Sequence, residues 1–330
     1  MVKARLLRTG MDSGAFARQS KTVRESAVSK FPALSRYLPD PEFVPPFDVA
    51  EPLRLATPFV FNAPHSGSIY PPAWVESAAL DATALRRSED AYVDRLFAGV
   101  VALGAPLMSA RFPRAYLDLN REAYELDPRM FEGRLPISAN TRSMRVAGGL
   151  GTIPRIVADG HEIYRRRLPI EEAFRRIDTL YHPYHAALDA ILERSFERFG
   201  EVILIDCHSM PSSGLGRDEA GRADIVLGDR YGTSCSRLLT ETIERAFTAR
   251  GFAVVRNKPY AGGFITEHHG APAVRRQALQ IEINRAIYMD EKTLVPLPGF
   301  GRFATQIVDI FAQAMAELDL GSEARPMAAE

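Results

Sequence analysis

Two hydrophobic periods alternate along this chain. Short apolar runs of strand length recur at Phe59-Val-Phe61, at 106–110, at 115–119, at 202–206, at 223–227, at 252–255 and at 278–283. Between them the apolar residues fall at helical spacing. In 82–103 these are Leu85, Tyr92, Val93, Leu96, Phe97 and Val100; in 232–250 they are Leu238, Leu239, Ile243 and Phe247. A long helical pattern over 169–199 is interrupted around Pro183, and another over 301–318 closes the chain. The run Val202-Ile-Leu-Ile has no polar alternation, which predicts a strand buried on both faces. Strands that alternate with helices predict an α/β fold, three layers deep, with a mixed and largely parallel sheet covered on both sides. Pro39, Pro41, Pro45 and Pro46 break regular structure near the start, and no linker interrupts 55–318. The expected organisation is an N-terminal extension over 1–50, one catalytic domain over 51–320 and a loose tail over 321–330.

Composition narrows the class without naming a function. A hydrophobic share of 46% and a charged share of 25% are those of a globular protein with a substantial core. Acidic and basic residues balance at 41 each, so no global charge calls for nucleic acid. The basic residues of the first 50 (Lys3, Arg5, Arg8, Arg18, Lys21, Arg24, Lys30) lack interleaved aromatics, which argues against a nucleic-acid arm. Packing of that arm on the body or on a partner subunit is the simpler expectation, and it allows a homo-oligomer. Cys207 and Cys235 form no disulfide framework, no apolar run reaches membrane-span length, and no signal core follows the basic N-terminus. A cytoplasmic setting and no membrane partner are expected.

The chemistry-bearing residues sit where apolar runs turn polar. Phe59-Val-Phe61 leads into Asn62-Ala-Pro-His65-Ser-Gly67, and 202–206 leads into Cys207, His208 and a Ser-Met-Pro turn. In an open α/β sheet the strand ends are where ligands bind. Two His residues and one carboxylate form a common catalytic zinc set, and the acid available here is Glu89 or Asp90. A lone His at a strand end is more often a hydrogen-bonding residue; two such turns shift the balance toward metal. Glu282 alternates with Ile281 and Ile283, and a carboxylate in an apolar strand needs a partner or a task, such as general base. Arg114 and Asn120-Arg121 offer cations for a substrate carboxylate and a scissile carbonyl. The competing reading pairs Arg121 with Asp118 or Glu122, and Glu282 with Arg285. His182 and His185 flank Pro183 without a nearby acid and read as structural. His268 and His269 read as a loop that could touch substrate and as weak zinc ligands. Cys207 should face away from His208, into the core. The glycines of 148–151 match no nucleotide motif, and neither Ser66 nor Ser213 sits in G-x-S-x-G.

Taken in order, six stretches resemble the N-formylglutamate amidohydrolases (deformylases): Asn62-Ala-Pro-His-Ser-Gly67, Asp90-Ala-Tyr-Val-Asp94, Arg114-Ala-Tyr-Leu-Asp-Leu-Asn-Arg121, Asp206-Cys-His-Ser-Met-Pro211, Asn257-Lys-Pro-Tyr-Ala-Gly-Gly-Phe264 and Gln280-Ile-Glu-Ile-Asn-Arg285. Together they span roughly residues 58–315. The resemblance implies a phosphorylase/hydrolase-like α/β fold, akin to zinc carboxypeptidases and aspartoacylases. It also implies one zinc ion per chain and a small acidic substrate. Those relatives carry H-x-x-E, whereas Ser68 follows His65 by three, so the acidic ligand must come from elsewhere. By resemblance that ligand is Asp90, with Glu89 as the alternative, beside His65 and His208. The resemblance further implies Glu282 as general base, Arg114 as oxyanion stabiliser, and Asn120 with Arg121 on the substrate α-carboxylate. Arg155, Lys258 or Arg285 would then serve a side-chain carboxylate. The implied reaction converts N-formyl-L-glutamate to formate and glutamate, a step of histidine degradation. Another N-acyl amino acid as substrate, or a catalytically silent binding protein, are the alternatives.

Overall fold

The computed structural model describes residues 37–157, 160–214 and 223–323, and these build one seven-stranded mixed sheet with helices on both faces. In chain order the strands are β1 (Phe47–Ala50), β2 (Phe59–Ala63), β3 (Leu107–Ala110), β4 (Val202–Met210), β5 (Ile225–Gly228), β6 (Val254–Arg256) and β7 (Arg276–Asn284). Their spatial order is β1-β3-β2-β4-β7-β5-β6. The pairs β2/β3, β2/β4, β4/β7 and β5/β6 are parallel, and β1/β3 and β5/β7 are antiparallel. Parallel strands require crossovers, and the helices that make them cover the two faces.

Strand alternation sorts the side chains into two cores. Phe59, Phe61, Ile203, Ile205, Cys207, Leu279, Ile281 and Ile283 face one way, against helices α1 (Val93–Phe97), α4 (Arg237–Thr248) and α6 (Phe300–Glu323). Val60, Val202, Leu204 and Ala278 face the other way, toward α3 (His182–Phe199) and α5 (Phe264–His269). α3 is preceded by α2 (Ile170–Arg176) and one widened π turn at Ile177–Tyr181. Pro183 therefore does not break the helix. It lies just after the π turn, whose wider i→i+5 bonding, with the His182 N–H on Ile177 O, accommodates the N–H that Pro183 lacks.

Four expectations change. Helix 82–103 is broken: Ala82–Leu85 and Val93–Phe97 are helical, and Tyr92 between them is left-handed at φ 65°. The break lets the Asp90 amide donate to the carbonyl of His65 at 3.0 Å. Residues 115–119 are not a strand; the Asp118 amide donates to Thr152 O, off the sheet, while Leu117 and Leu119 still fill the core. The polar end of 202–206 is itself strand, because β4 runs on to Met210 beside the equally long β7. The expected extension over 1–50 is part of the fold at its end. Phe43 is fully buried, and β1 pairs with β3 from Phe47↔Ala110 to Ala50↔Leu107. Of the expected tail, residues 321–323 continue α6; residues 1–36 and 324–330 lie outside the described residues. Among the described residues no helix is long and apolar enough to cross a membrane.

Candidate active site

On the β2/β4/β7 trio the register aligns polar side chains row by row. Asn62 pairs with Asp206 and Asp206 with Gln280; two residues on, His208 pairs with Glu282. All are buried, at 7% exposure or less. They share the face opposite Cys207, so the thiol belongs to the apolar core and takes no part in the site.

His65 enters from the turn after β2. Gly67 fits there because a Cβ would stand 1.9 Å from the Phe112 carbonyl oxygen, leaving room for no other residue. The structure brings His65, Asp90 and His208 together, with one ligand atom of each within 4.8 Å of the others. His65 Nε2 lies 2.8 Å from Asp118 Oδ1, and His208 Nε2 lies 2.8 Å from Asp206 Oδ2. A carboxylate can only accept, so each Nε2 carries a proton, and a neutral ring then offers its Nδ1 as a lone pair. Both Nδ1 atoms face Asp90 Oδ2, at 3.4 Å from His65 and 3.1 Å from His208. With both rings neutral, three acceptors converge here, and His65 Nδ1 is buried without a hydrogen-bond partner. Such a set fits a cation. Metal-bound His residues are commonly held from behind by carboxylates, and donors on a tetrahedral zinc with bonds of ~2.1 Å stand about 3.4 Å apart.

Carboxylates dominate the charges around this cluster. Burial opposes ionisation of Asp90, but His208, His65 and Arg285 hold its carboxyl well below the usual range. Burial likewise works against a charged His208, and Asp206, Asp90 and Glu282 outweigh it to raise the imidazole well above its ordinary value. The second oxygen of Asp90 accepts from Arg285 Nη2 at 2.9 Å, which fixes the carboxylate's orientation. Glu282 accepts from Gln280 Nε2 at 2.8 Å, and burial pushes its carboxyl up to about 7. Arg285 serves Asp90 rather than Glu282. Arg114 donates through Nε to Asp118 at 3.0 Å, keeps its side chain 27% exposed, and is held charged against burial by Asp118, Asp90 and Glu282.

Two expected positions are differently placed. Glu89 accepts from both Arg86, at 2.9 and 3.0 Å, and Tyr70, at 3.1 Å, outside the His65–Asp90–His208 cluster. Asn120 and Arg121 are buried and bound to the protein itself. Arg121 donates to the carbonyls of Leu150 (2.7 Å) and Asn120 (2.6 Å) and pairs with Asp118 at 3.3 Å. Asn120 accepts from the Ile265 amide at 2.8 Å and donates to Gln280 at 3.3 Å. Gly263 is needed beside it, since a Cβ would stand 2.3 Å from Asn120 Oδ1. The competing structural reading of Arg121 is therefore the one the geometry matches. Among the glycines of 148–151, Gly151 is needed against the Glu125 carbonyl, where a Cβ would stand 2.3 Å from the oxygen. Arg155 is engaged with Asp127 and Glu162, and Lys258 is exposed. His185 sits near Leu119 O at 3.0 Å, a structural contact as expected.

Sequence reasoning expected Asp206 to steady His208 and gave no role to Tyr184 or Asn62 behind it. Tyr184 donates to Asn62 at 2.5 Å, Asn62 donates to Asp206 at 2.8 Å, and Asp206 holds His208. The usable signal was Asn62 itself, a polar residue in a strand that is otherwise wholly apolar.

Known proteins place this geometry. The family profile described as N-formylglutamate amidohydrolase matches residues 57–289, which include every residue of the site. The N-formylglutamate deformylase of Pseudomonas aeruginosa is 28% identical over 242 residues, covering 72% of this chain and 85% of that protein. That of Pseudomonas putida is 29% identical over 237 residues, covering 71% and 82%. The crystal structure of N-formylglutamate amidohydrolase from Ralstonia eutropha JMP134 superposes with a TM-score of 0.78 at 37% identity, over 84% of this chain and 99% of that one. With a matched profile across most of its length and a shared fold, the chain belongs to the N-formylglutamate amidohydrolase family and is an amidohydrolase.

Proposed function

We propose that the protein is a zinc-dependent amidohydrolase that cleaves the formyl amide of N-formyl-L-glutamate, giving formate and glutamate at the end of one route of histidine degradation. The observation that carries this reading is the meeting of three buried acceptors, His65 Nδ1, His208 Nδ1 and Asp90 Oδ2, with a buried carboxylate next to them. His65, Asp90 and His208 would hold the ion, which supplies positive charge that acidifies a water and polarises a carbonyl. Asp118 and Asp206 keep both imidazoles in the tautomer that offers Nδ1.

Glu282 acts as general base. Its carboxyl near 7 is basic enough to take a proton from the attacking water and acidic enough to return it to the leaving nitrogen. The water oxygen bonds to the formyl carbon, the C–N bond then breaks, and the returned proton leaves with the amine of glutamate. Arg114 presents its guanidinium to the oxyanion of the tetrahedral intermediate. Arg121 acts by holding the turn that carries Asp118 and Asn120, a change from the expectation that it grips substrate directly.

The test is to measure bound metal and hydrolysis together over a panel of N-formyl and N-acyl amino acids. Chelation should abolish hydrolysis and zinc should restore it. Activity that survives chelation, or survives His208→Ala, overturns the reading. Of Arg155, Lys258 and Arg285, the two arginines are bound to internal partners, which leaves the exposed Lys258 for a side-chain carboxylate.

A further inference from the structure

Away from the active site a second group holds the same residue types, two His and one carboxylate, nearer the surface. Asp189 lies on α3, and His268 and His269 end α5; one ligand atom of each lies within 4.8 Å of the others. The two imidazole rings are 4.8 Å apart between centroids, the same separation as His65 and His208. His269 has a side chain only 9% exposed, and its Nε2 is buried with no hydrogen-bond partner. Its Nδ1 stands 3.7 Å from Asp189 Oδ1, too far for a hydrogen bond. That distance is close to the ~3.4 Å expected of two donors on one tetrahedral ion.

We infer that Asp189, His268 and His269 form a second metal site, for zinc or a similar imidazole-preferring divalent cation. Two imidazoles and one carboxylate suit such ions better than magnesium or calcium, which prefer oxygen. The site is open on one side, with the Asp189 side chain 58% exposed, so solvent completes the shell and the ion exchanges. It would clip α5 to α3. The first residues of α5 matter for catalysis, because Gly263 N donates to Gln280 and Ile265 N to Asn120, and both acceptors adjoin Glu282 and His208. An ion at the far end of this helix would touch none of these groups.

The test is zinc stoichiometry on the full chain, stripped by chelation and titrated against a chromophoric competitor. The wild type should bind two zinc ions per chain, the weaker in the micromolar range. His268→Ala and Asp189→Asn should each bind one and keep full hydrolysis, whereas His208→Ala should keep the weaker ion alone. Excess zinc should raise the thermal midpoint of the wild type by a few degrees and leave that of His268→Ala unmoved. A wild type that binds a single ion, or two variants that still bind two, overturns the proposal. Retention of the tighter ion by both variants guards against a trivial loss of folding.

Discussion

The two faces of the central sheet come from the same strands and obey different rules. On one face β2, β4 and β7 contribute Phe59, Phe61, Ile203, Ile205, Ile281 and Ile283, all packed as hydrocarbon under α6. On the other, the same strands contribute Asn62, Asp206, His208, Gln280 and Glu282. Each of these polar groups would be costly if buried alone. They are tolerated because each has a partner, in a chain running Tyr184–Asn62–Asp206–His208 and another running Asn120–Gln280–Glu282. The apolar face therefore carries stability, and the polar face holds a reactive arrangement rigidly in place.

Substitutions should separate these two roles. The largest effects belong to the polar face. His208→Ala should lower kcat/KM by about a thousandfold or more and release the tight zinc, with the circular-dichroism spectrum unchanged. Glu282→Gln should lower kcat by about 10² to 10⁴ while metal content stays at the wild-type value. With Glu282 as the proposed general base, wild-type activity should rise as pH climbs through the pKa of this carboxyl, which burial pushes up to about 7. A pH–rate profile of Glu282→Gln should lack that acid limb.

On the apolar face the signature reverses. Phe311 is fully buried with its ring 4.8 Å from that of Phe61. Phe311→Ala should lose about 3–5 kcal/mol of stability by denaturant unfolding, yet leave kcat per folded molecule unchanged. A shift of kinetics without one of stability would mean the two faces are not independent.

Acid should also distinguish them. Burial is the main cause that lowers His185, beside the site, to about 4. The unfolded chain takes up this proton near the ordinary imidazole value and the folded chain only near 4, so its contribution is intact above about 6.5 and is lost as pH falls from there toward 4. Up to about 3 kcal/mol of stability rides on it, and His185→Gln should flatten the dependence of urea midpoints on pH across that window. The smallest effect is expected from Tyr184→Phe. It removes one buried hydrogen bond, about 1 kcal/mol, and should weaken zinc about tenfold through Asn62 and Asp206. Competition titration would show it, and an unchanged affinity would reduce that chain to a packing feature.

What could be read from the sequence follows from this division. Strands 59–61, 202–206 and 278–283 were legible because unbroken β-branched and aromatic runs have few other uses. His65, His208 and Glu282 were legible because ionisable groups against such runs need a reason to be there. What failed depended on contacts distant in sequence. Residues 115–119 alternate like a strand, yet the Asp118 amide goes to Thr152 O. Residues 82–103 have helical spacing, yet the Asp90 amide goes to His65 O. Arg121 looked available for substrate because its acceptor, Leu150 O, is 29 residues away. Local pattern reports burial well and reports hydrogen-bond partners poorly.

Strand β1 has a bearing on how the chain behaves in solution. Its four residues, Phe47–Ala50, cover the outer side of β3 with antiparallel pairing. An uncovered strand presents a row of free amides and carbonyls to any passing chain. A protein trimmed to begin at residue 51, where the prolines suggest a natural start, would retain every catalytic group and still tend to self-associate through Leu107–Ala110. The stretch that looks dispensable in the sequence is what keeps β3 paired on both sides.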